Sequence, residues 1–259
     1  MKRFITINRG DEESKRLCKY IRESMVKKNF TIDEKNPELI IYVGGDGTLL
    51  KAFHEYLDIL DNVSFVGIHT GTLGFSTDYT AQEVEEFLEN IDNEPVIEEK
   101  QVLEVECYNT HTSKHYYALN EVRVENIVKT QAMDLYLDST YFETFRGNGV
   151  CISAQYGSTA YNRSIGGAVI YPGLELLQVT EISGIHHRHS RSLGAPLIMN
   201  PNIQVTLKSD SFDHALLCYD HLHIHLDDIH EIRVRNSDKR MKFAHFKEIS
   251  HIDRLNALF

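Results

Sequence analysis

The residue types best suited to chemistry lie in segment 44–48, which has the sequence GGDGT. This segment follows Leu39–Val43, an apolar run typical of a buried β-strand, and apolar residues at helical spacing come after it. Glycines at the carboxyl end of a strand allow backbone N–H groups to approach an anion closely, and the amino end of the next helix carries partial positive charge. The segment is therefore predicted to bind phosphate, with Thr48 capping the helix or contacting the phosphate.

Asp46 is the unexpected member of this segment, because a carboxylate repels phosphate. Two functions account for its presence: Asp46 accepts a proton from an attacking hydroxyl group, or it acts through a divalent metal ion. The structural alternative is a tight turn in which Asp46 only caps the helix, since glycine-rich turns between strands and helices are common.

Segment 39–48 resembles the strand and turn of a superfamily that includes NAD kinases, diacylglycerol and sphingosine kinases, and 6-phosphofructokinases. In these enzymes the motif lies where the phosphate donor and acceptor meet. The resemblance therefore implies phosphoryl transfer and leaves the acceptor open.

Four more segments resemble NAD kinases of the small bacterial type in content, order and spacing, over a region from about residue 39 to residue 196. They are HTGTLGF (69–75), ALNEVRV (118–124), FRGNGVCIS (145–153) and YGSTAYNRSIGGAVIYP (156–172). The resemblance implies transfer of the γ-phosphoryl group of ATP to the 2′-hydroxyl group of the adenosine ribose of NAD, with Asp46 as the catalytic base. It leaves open whether polyphosphate also serves as donor. A divalent ion, with Mg²⁺ expected, would be bound through the substrate phosphates, and no protein metal site is predicted.

The resemblance also implies a set of nucleotide-binding residues. Asn120 and Glu121 would hold the nicotinamide-side ribose and the metal–phosphate region, and the segment 159–164 would surround the adenine and its ribose. Segments 146–148 and 183–185 would contact a neighbouring subunit's site in a homotetramer. The full set is Gly45, Asp46, Gly47, Leu50, Phe75, Asn120, Glu121, Arg146, Asn148, Tyr156, Thr159, Ala160, Tyr161, Asn162, Arg163, Ser164, Ser183, Ile185 and His221.

The chemistry of several of these residues agrees with such roles. An Asn-Glu pair at a strand end can bind a diol, and Tyr161 offers a flat apolar face with a hydroxyl group. Segment 157–159, which opens a predicted helix, is a second candidate anion site. Each has a structural alternative: Asn120 as a turn residue, Tyr161 as a core aromatic residue and Ser158 as an N-cap.

The sequence departs from the family's usual pattern around the expected nucleotide pocket. Asn148 replaces the usual aspartate, and Gln155-Tyr156 replaces a proline and a small hydroxyl residue. Thr72, Ser76 and His186-His187 are further differences. These changes are expected to affect affinity more than chemistry. Asn148, Gln155 and Tyr156 leave open the alternative of an NAD- or NADP-binding sensor without turnover. The glycine turn leaves open a second alternative, a lipid kinase that uses the same turn, in which the Asn-Glu pair would have no function.

Two groups of histidines are weaker candidates for a functional site. His221, His223 and His225 share one face of a predicted strand, where a solvated or core position is favoured over a zinc site. The resemblance implies an acidic residue facing the pocket at Asp220. The basic cluster 186–191 is either a solvated loop or a contact for the donor's phosphates.

Composition limits the classes of function. The net charge of −11 argues against a general nucleic-acid-binding protein, which needs a basic surface. An apolar run long enough to span a membrane and a secretory signal are both absent from the sequence, so a cytoplasmic location is predicted. The four cysteines are widely spaced and are expected to be reduced and buried.

The order of elements predicts an α/β domain followed by a β-rich domain. Strand and helix patterns alternate up to about residue 96, which is typical of a helix-covered parallel sheet carrying the GGDGT turn. Beyond that, apolar and polar residues alternate in many short segments, which indicates mostly antiparallel strands in a sandwich-like domain. One helical interruption is expected over 158–185. The predicted domains are residues 1–96, residues 97–246, and a tail, 247–259, that packs on the first domain.

Overall fold

A computed structural model describes residues 2–71, 74–186, 192–248 and 250–256. Its α-helices are α1 (Glu12–Lys27), α2 (Asp46–Glu55), α3 (Val84–Asn90), α4 (Tyr161–Ser164) and α5 (His251–Asn256). Its strands are β1 (Arg3–Asn8), β2 (Thr31–Ile32), β3 (Leu39–Val43), β4 (Ser64–His69), β5 (Tyr79–Thr80), β6 (Val96–Tyr108), β7 (Ser113–Ala118), β8 (Glu121–Glu125), β9 (Gln131–Leu137), β10 (Thr140–Gly147), β11 (Gly149–Ala154), β12 (Leu177–Ile182), β13 (Leu197–Met199), β14 (Val205–Lys208), β15 (Leu216–Tyr219), β16 (Leu222–His225) and β17 (Glu231–His245). Among the described helices, none combines the length and hydropathy needed to span a membrane.

The chain folds into two compact units. The first, here called the α/β unit, comprises Met1–Lys100 and Lys239–Phe259, and the second, the β unit, comprises Gln101–Asp238. These limits differ from the predicted domains mainly at the end of β17, where Lys242 and Phe243 pair with β4 of the α/β unit. The sequence pattern of β17 continues without a break from the β unit into the α/β unit, so it gives no local sign of the boundary between them.

The α/β unit contains a parallel sheet with the strand order β2-β1-β3-β4, extended by β5 and by the end of β17. All five residues of β3 are buried, as expected for a strand covered on both faces. Thr80 and Glu83 have the spacing that predicts a capping box, and the structure confirms it: the Glu83 carboxylate accepts from the Thr80 N–H group at 2.7 Å, and α3 follows. Because parallel strands end at the same edge, the loops after β1, β3 and β4 meet there.

The β unit is built from antiparallel strands, so the predicted fold class is confirmed. One sheet has the order β13-β12-β11-β8-β15-β16, and the other contains β10-β9-β14-β17 and the β6–β7 hairpin. Their apolar faces form one buried core, with Val124, Phe145 and Ile152 among its residues. The four cysteines are buried and free, as predicted.

The helical interruption predicted over 158–185 is wrong in extent. Helical structure covers only a 3-10 turn, Tyr156–Thr159, and the four-residue α4, whereas Leu177–Ile182 forms the strand β12. Gln178 and Thr180 are as buried as their apolar neighbours. Apolar and polar residues alternate only over 177–180, before Glu181 breaks the pattern, and so short an alternation does not identify a strand with certainty.

Candidate active site

The glycine-rich turn connects β3 to α2 in the α/β unit. Gly44 has a φ of +153°, and a Cβ atom there would overlap the hydroxyl group of Thr48, so this position requires glycine. Gly45 is the N-cap residue, and its carbonyl accepts hydrogen bonds from the N–H groups of Thr48 and Leu49 at 2.9 and 3.2 Å. The turn thus presents the amino end of a helix at the carboxyl edge of the parallel sheet.

Asp46 is the first residue of α2, and it is exposed. The alternative in which Asp46 caps the helix is wrong, because the N-cap is Gly45 and, among the described residues, no side chain caps α2. The hydroxyl group of Ser76 donates a hydrogen bond to Oδ1 of Asp46 at 2.6 Å. The carboxylate is therefore held at one oxygen and open to solvent, an arrangement suited to accepting a proton from a bound hydroxyl group.

A cleft of about 240 Å³ lies beside the turn and carries positive charge. It is lined by Asn8, Arg9, Gly45, Gly47, Thr48, Lys51 and His69. The Nδ1 atom of His69 accepts the N–H group of Gly71 at 2.8 Å, which fixes the orientation of the ring. Arg9 also pairs with Asp11 at 2.8 Å. Basic side chains next to a helix amino end suit a phosphate group.

Sequence reasoning missed Arg9, Lys51 and His69 as individual candidates. A signal existed for Arg9, because it directly follows β1, and β1 pairs in parallel with β3 along its whole length. The two other predicted residues of this unit are less exposed than Asp46. Leu50 is buried on α2, and Phe75, which follows β4, is half-buried.

In the β unit, Asn120 and Glu121 lie where the chain enters β8. Asp220, in the turn between β15 and β16, accepts hydrogen bonds from the N–H groups of Leu119 at 2.9 Å and Asn120 at 2.7 Å. Gly157 packs so tightly against the backbone of Asn120 that any Cβ atom would overlap it. The structure thus brings the Asn-Glu pair, the predicted acidic residue and the second glycine–serine segment together within one unit.

Glu121 is a buried carboxyl group in a low-dielectric environment. Burial and the nearby Asp220 carboxylate raise the pKa of Glu121 to about 7, and Arg123 opposes this effect. The guanidinium group of Arg123 lies 3.8 Å from Glu121 without a hydrogen bond, and among the described residues Oε2 of Glu121 has no hydrogen-bond partner. A buried oxygen without a hydrogen-bond partner is suited to accept a hydrogen bond from a ligand hydroxyl group.

The substitution Glu121→Gln should make the protein more stable at alkaline pH. The folded-state pKa of Glu121 is above the unfolded value of 4.5, so the unfolded state loses its proton first and stability falls as pH rises from about 4.5 to about 7. Relative to the wild type, the variant should gain about 2 kcal/mol of unfolding free energy between pH 5 and pH 8. Urea unfolding at both pH values measures this, with the exposed Glu55→Gln as control. Equal pH dependence in all three proteins would contradict the raised pKa.

Tyr161 forms a cluster with two charged residues. Its hydroxyl group donates to Oε1 of Glu125 at 2.7 Å, and the guanidinium carbon of Arg123 lies 4.0 Å from the ring centroid. Arg123 also pairs with Glu125 at 2.8 Å. One face of the ring is thus covered by a cation. The burial of Tyr161 and its contact with Glu125 raise its pKa.

The second glycine–serine segment does not begin a long helix. The 3-10 turn ends at Ala160, whose ψ of −134° is not helical, and only one turn of helix follows. Ser158 is fully buried and accepts the N–H group of Ile170 at 3.0 Å, so this serine anchors a loop instead of capping a helix or contacting an anion. Gln155, which departs from the family pattern, donates to the carbonyl of Ile170 at 3.3 Å.

The other predicted residues of segment 156–164 have different exposures. Tyr156 and Asn162 are buried, and Asn162 accepts from the hydroxyl group of Thr180 at 2.8 Å. Thr159, Ala160 and Arg163 are half-buried, and Ser164 is exposed.

The structure brings segments 146–148 and 183–185 together at the end of β10. The N–H group of Ile185 donates to the carbonyl of Arg146 at 2.7 Å, and that of Asn148 donates to the carbonyl of Ile182 at 3.0 Å. Ser183 has a φ of +50° and, like Arg146, is exposed.

Asn148→Asp, which restores the family's usual residue, should destabilise this protein. The side-chain amide of Asn148 donates to the carbonyl of Asn126 at 3.1 Å, and a carboxylate has no proton to donate. The expected loss is about 1–3 kcal/mol of unfolding free energy, because two oxygens would then face each other. Urea unfolding measures it, and Asn202→Asp, at an exposed position in the same unit, is the matched control. An unchanged midpoint would show that the amide contributes nothing here.

The remaining candidates lie on the surface or outside the described residues. His221, His223 and His225 are exposed, with the rings of the latter two 6.5 Å apart, which agrees with the solvated interpretation. Thr72 and residues 187–191 of the basic cluster lie outside the described residues. Within the described ranges, no group of three or more His, Cys, Asp or Glu side chains is arranged to hold a metal ion.

Comparison with known solved structures shows the same fold at low sequence identity. Yeast NADH kinase in complex with NADH has a TM-score of 0.82 at 19% identity, and the match covers 99% of this chain and 86% of that one. An NAD kinase from Archaeoglobus fulgidus in complex with ATP has a TM-score of 0.78 at 23% identity, covering 99% and 98% of the two chains.

Curated relatives and family models match nearly the whole sequence. NAD kinase 1 of Bacillus cereus is 36% identical over 260 residues, covering 99% of this chain and 98% of its own length. NAD kinase of Lacticaseibacillus paracasei is 40% identical over 235 residues, covering 89% and 88%. The family model of the ATP-NAD kinase N-terminal domain matches residues 6–96, and that of the C-terminal domain matches residues 119–246. The glycine turn and the Asn-Glu pair lie within these two matches, and the chain belongs to the ATP-NAD kinase family.

Proposed function

We propose that the protein transfers the γ-phosphoryl group of ATP to the 2′-hydroxyl group of the adenosine ribose of NAD, and so produces NADP. The full-length match to curated NAD kinases supports the phosphotransferase activity. The structural observation that carries the mechanism is the exposed carboxylate of Asp46 at the amino end of α2.

In this mechanism Asp46 is the general base. Asp46 accepts the proton of the ribose 2′-hydroxyl group while the ribose oxygen attacks the γ-phosphorus of ATP. The bond between the γ-phosphorus and the bridging β-phosphate oxygen breaks in the same step. The helix amino end and the basic side chains of Arg9, Lys51 and His69 bind the donor phosphates. Positioning and charge stabilisation supply most of the rate enhancement in phosphoryl transfer.

A magnesium ion would neutralise charge on the donor's phosphates when it is bound. Mg²⁺ prefers oxygen ligands and usually retains several waters, so it needs few protein ligands. An exposed carboxylate beside the phosphate-binding turn fits this requirement. The metal would therefore be held through the substrate phosphates, beside the carboxylate of Asp46, which is left to act as the base.

The β unit would bind the dinucleotide. Asn120 and Glu121 would bind one ribose, and the ring of Tyr161 would stack on a base. The contact between segments 146–148 and 183–185 supports a shared role for them. In a homotetramer these segments would complete the site of a neighbouring subunit. The proposed location of the protein is the cytoplasm.

A coupled assay tests the proposal against its two alternatives. The purified protein is mixed with NAD, ATP and Mg²⁺, and NADP is detected with an NADP-dependent dehydrogenase. NADP formation is expected. Calorimetric binding of NAD without product would indicate a sensor, and phosphorylation of a diacylglycerol or sphingosine substrate without NADP formation would indicate a lipid kinase.

A further inference from the structure

Ser76 connects the loop after β4 to the carboxylate of Asp46. Ser76 is only 2% exposed, whereas Asp46 is exposed, and the serine hydroxyl group donates to Oδ1 of the aspartate at 2.6 Å. The two residues are 30 positions apart in sequence, and each lies in the segment that follows one of two adjacent parallel strands, β3 and β4. A side chain in solvent is therefore anchored by a partner in the interior.

Ser76 itself is held by buried groups of the same unit. The hydroxyl group of Tyr42 donates to the backbone carbonyl of Ser76, and Tyr42 is fully buried. The Tyr42 ring reaches this position across Gly67, where a Cβ atom would overlap it. On the next residue, the hydroxyl oxygen of Thr77 accepts the N–H group of Gly74 at 3.0 Å and closes the loop. The serine backbone thus has little freedom, which makes its hydroxyl group a rigid donor.

A hydrogen bond to a carboxylate is stronger than one between neutral groups, and it restricts the rotation of an otherwise free side chain. We propose that Ser76 is a positioning residue for phosphoryl transfer: it holds Asp46 through Oδ1, so that Oδ2 accepts the proton of the acceptor hydroxyl group. The inference rests on the proposed role of Asp46.

Ser76→Ala should lower kcat about tenfold while KM for NAD and for ATP stays within about twofold, because the hydroxyl group contacts the base and not a substrate. Ser76→Thr keeps a hydroxyl group and should recover most of kcat. Ser64→Ala is the matched control, because it removes the hydroxyl group of another buried serine on β4 and should leave kcat unchanged. Thermal melting followed by circular dichroism confirms that each variant is folded.

The same substitution in the Asp46→Asn background separates positioning from a general structural effect. If Ser76 acts through the basicity of Asp46, Ser76→Ala should cause no further loss of the residual turnover, measured with an enzymatic cycling assay for NADP. A tenfold fall in both backgrounds, or a Ser76→Ala kcat within twofold of the wild type, would overturn the inference. Full activity of Asp46→Asn alone would instead refute the proposed base, whatever Ser76→Ala does in the wild-type background.

Discussion

Replacing Asp46 with asparagine is expected to lower kcat by about two to four orders of magnitude, with KM for NAD changed less than about threefold. Asparagine has nearly the same shape, and its Oδ1 atom still accepts the hydrogen bond from Ser76. The substitution therefore removes basicity and charge while preserving local geometry. The coupled assay with saturating ATP measures both constants.

Asp58→Asn is the matched control for this substitution. Asp58 is an exposed aspartate of the same unit, in the 3-10 helix that follows α2, and its loss should not change kcat. An Asp46→Asn variant with near-wild-type turnover would exclude Asp46 as the base. A large rise in KM with unchanged kcat would assign Asp46 to substrate binding.

Replacing Arg254 with methionine is expected to lower the unfolding free energy by about 3–5 kcal/mol and the melting temperature by roughly 10 °C. The Arg254 guanidinium group pairs with Oδ1 of Asp78, and both side chains are buried. His245 contacts the other oxygen of Asp78 at 2.8 Å and also lies 3.3 Å from Glu98. Removing the arginine leaves the buried carboxylate of Asp78 with His245 as its remaining partner, so its negative charge is only partly compensated.

The network containing Arg254 joins α5 to the rest of the α/β unit, and its contribution to stability depends on pH. Burial alone lowers the pKa of His245, but its hydrogen bonds to Asp78 and Glu98 outweigh burial and raise it. His245 therefore contributes stability below its unfolded pKa of 6.5, and this contribution is lost as pH rises through the folded value.

Thermal melting at pH 6 measures the effect of Arg254→Met. Lys15→Met, which breaks the exposed Glu12–Lys15 pair on α1, is the control and should leave the melting temperature unchanged. A shift for Arg254→Met no larger than for this control would show that the buried network adds no net stability.

The sequence by itself determined those features that depend on neighbouring residues. β3, the glycine turn and the Thr80–Glu83 capping box follow from local backbone preferences and short-range periodicity, so they were predicted correctly. The fold class followed from the change between helix-and-strand alternation and period-two patterns. The family resemblance depended on the same local motifs.

Only the tertiary structure decided which distant residues meet. The hydrogen bonds from Ser76 to Asp46 and from Asn120 to Asp220 join residues 30 and 100 positions apart. The position of Arg123 against Tyr161 likewise depends on packing between separate elements. These contacts are set by strand register and by burial, which no local pattern encodes. The strand β12 was missed for a related reason: only the folded core shows that Gln178 and Thr180 are buried together with their apolar neighbours.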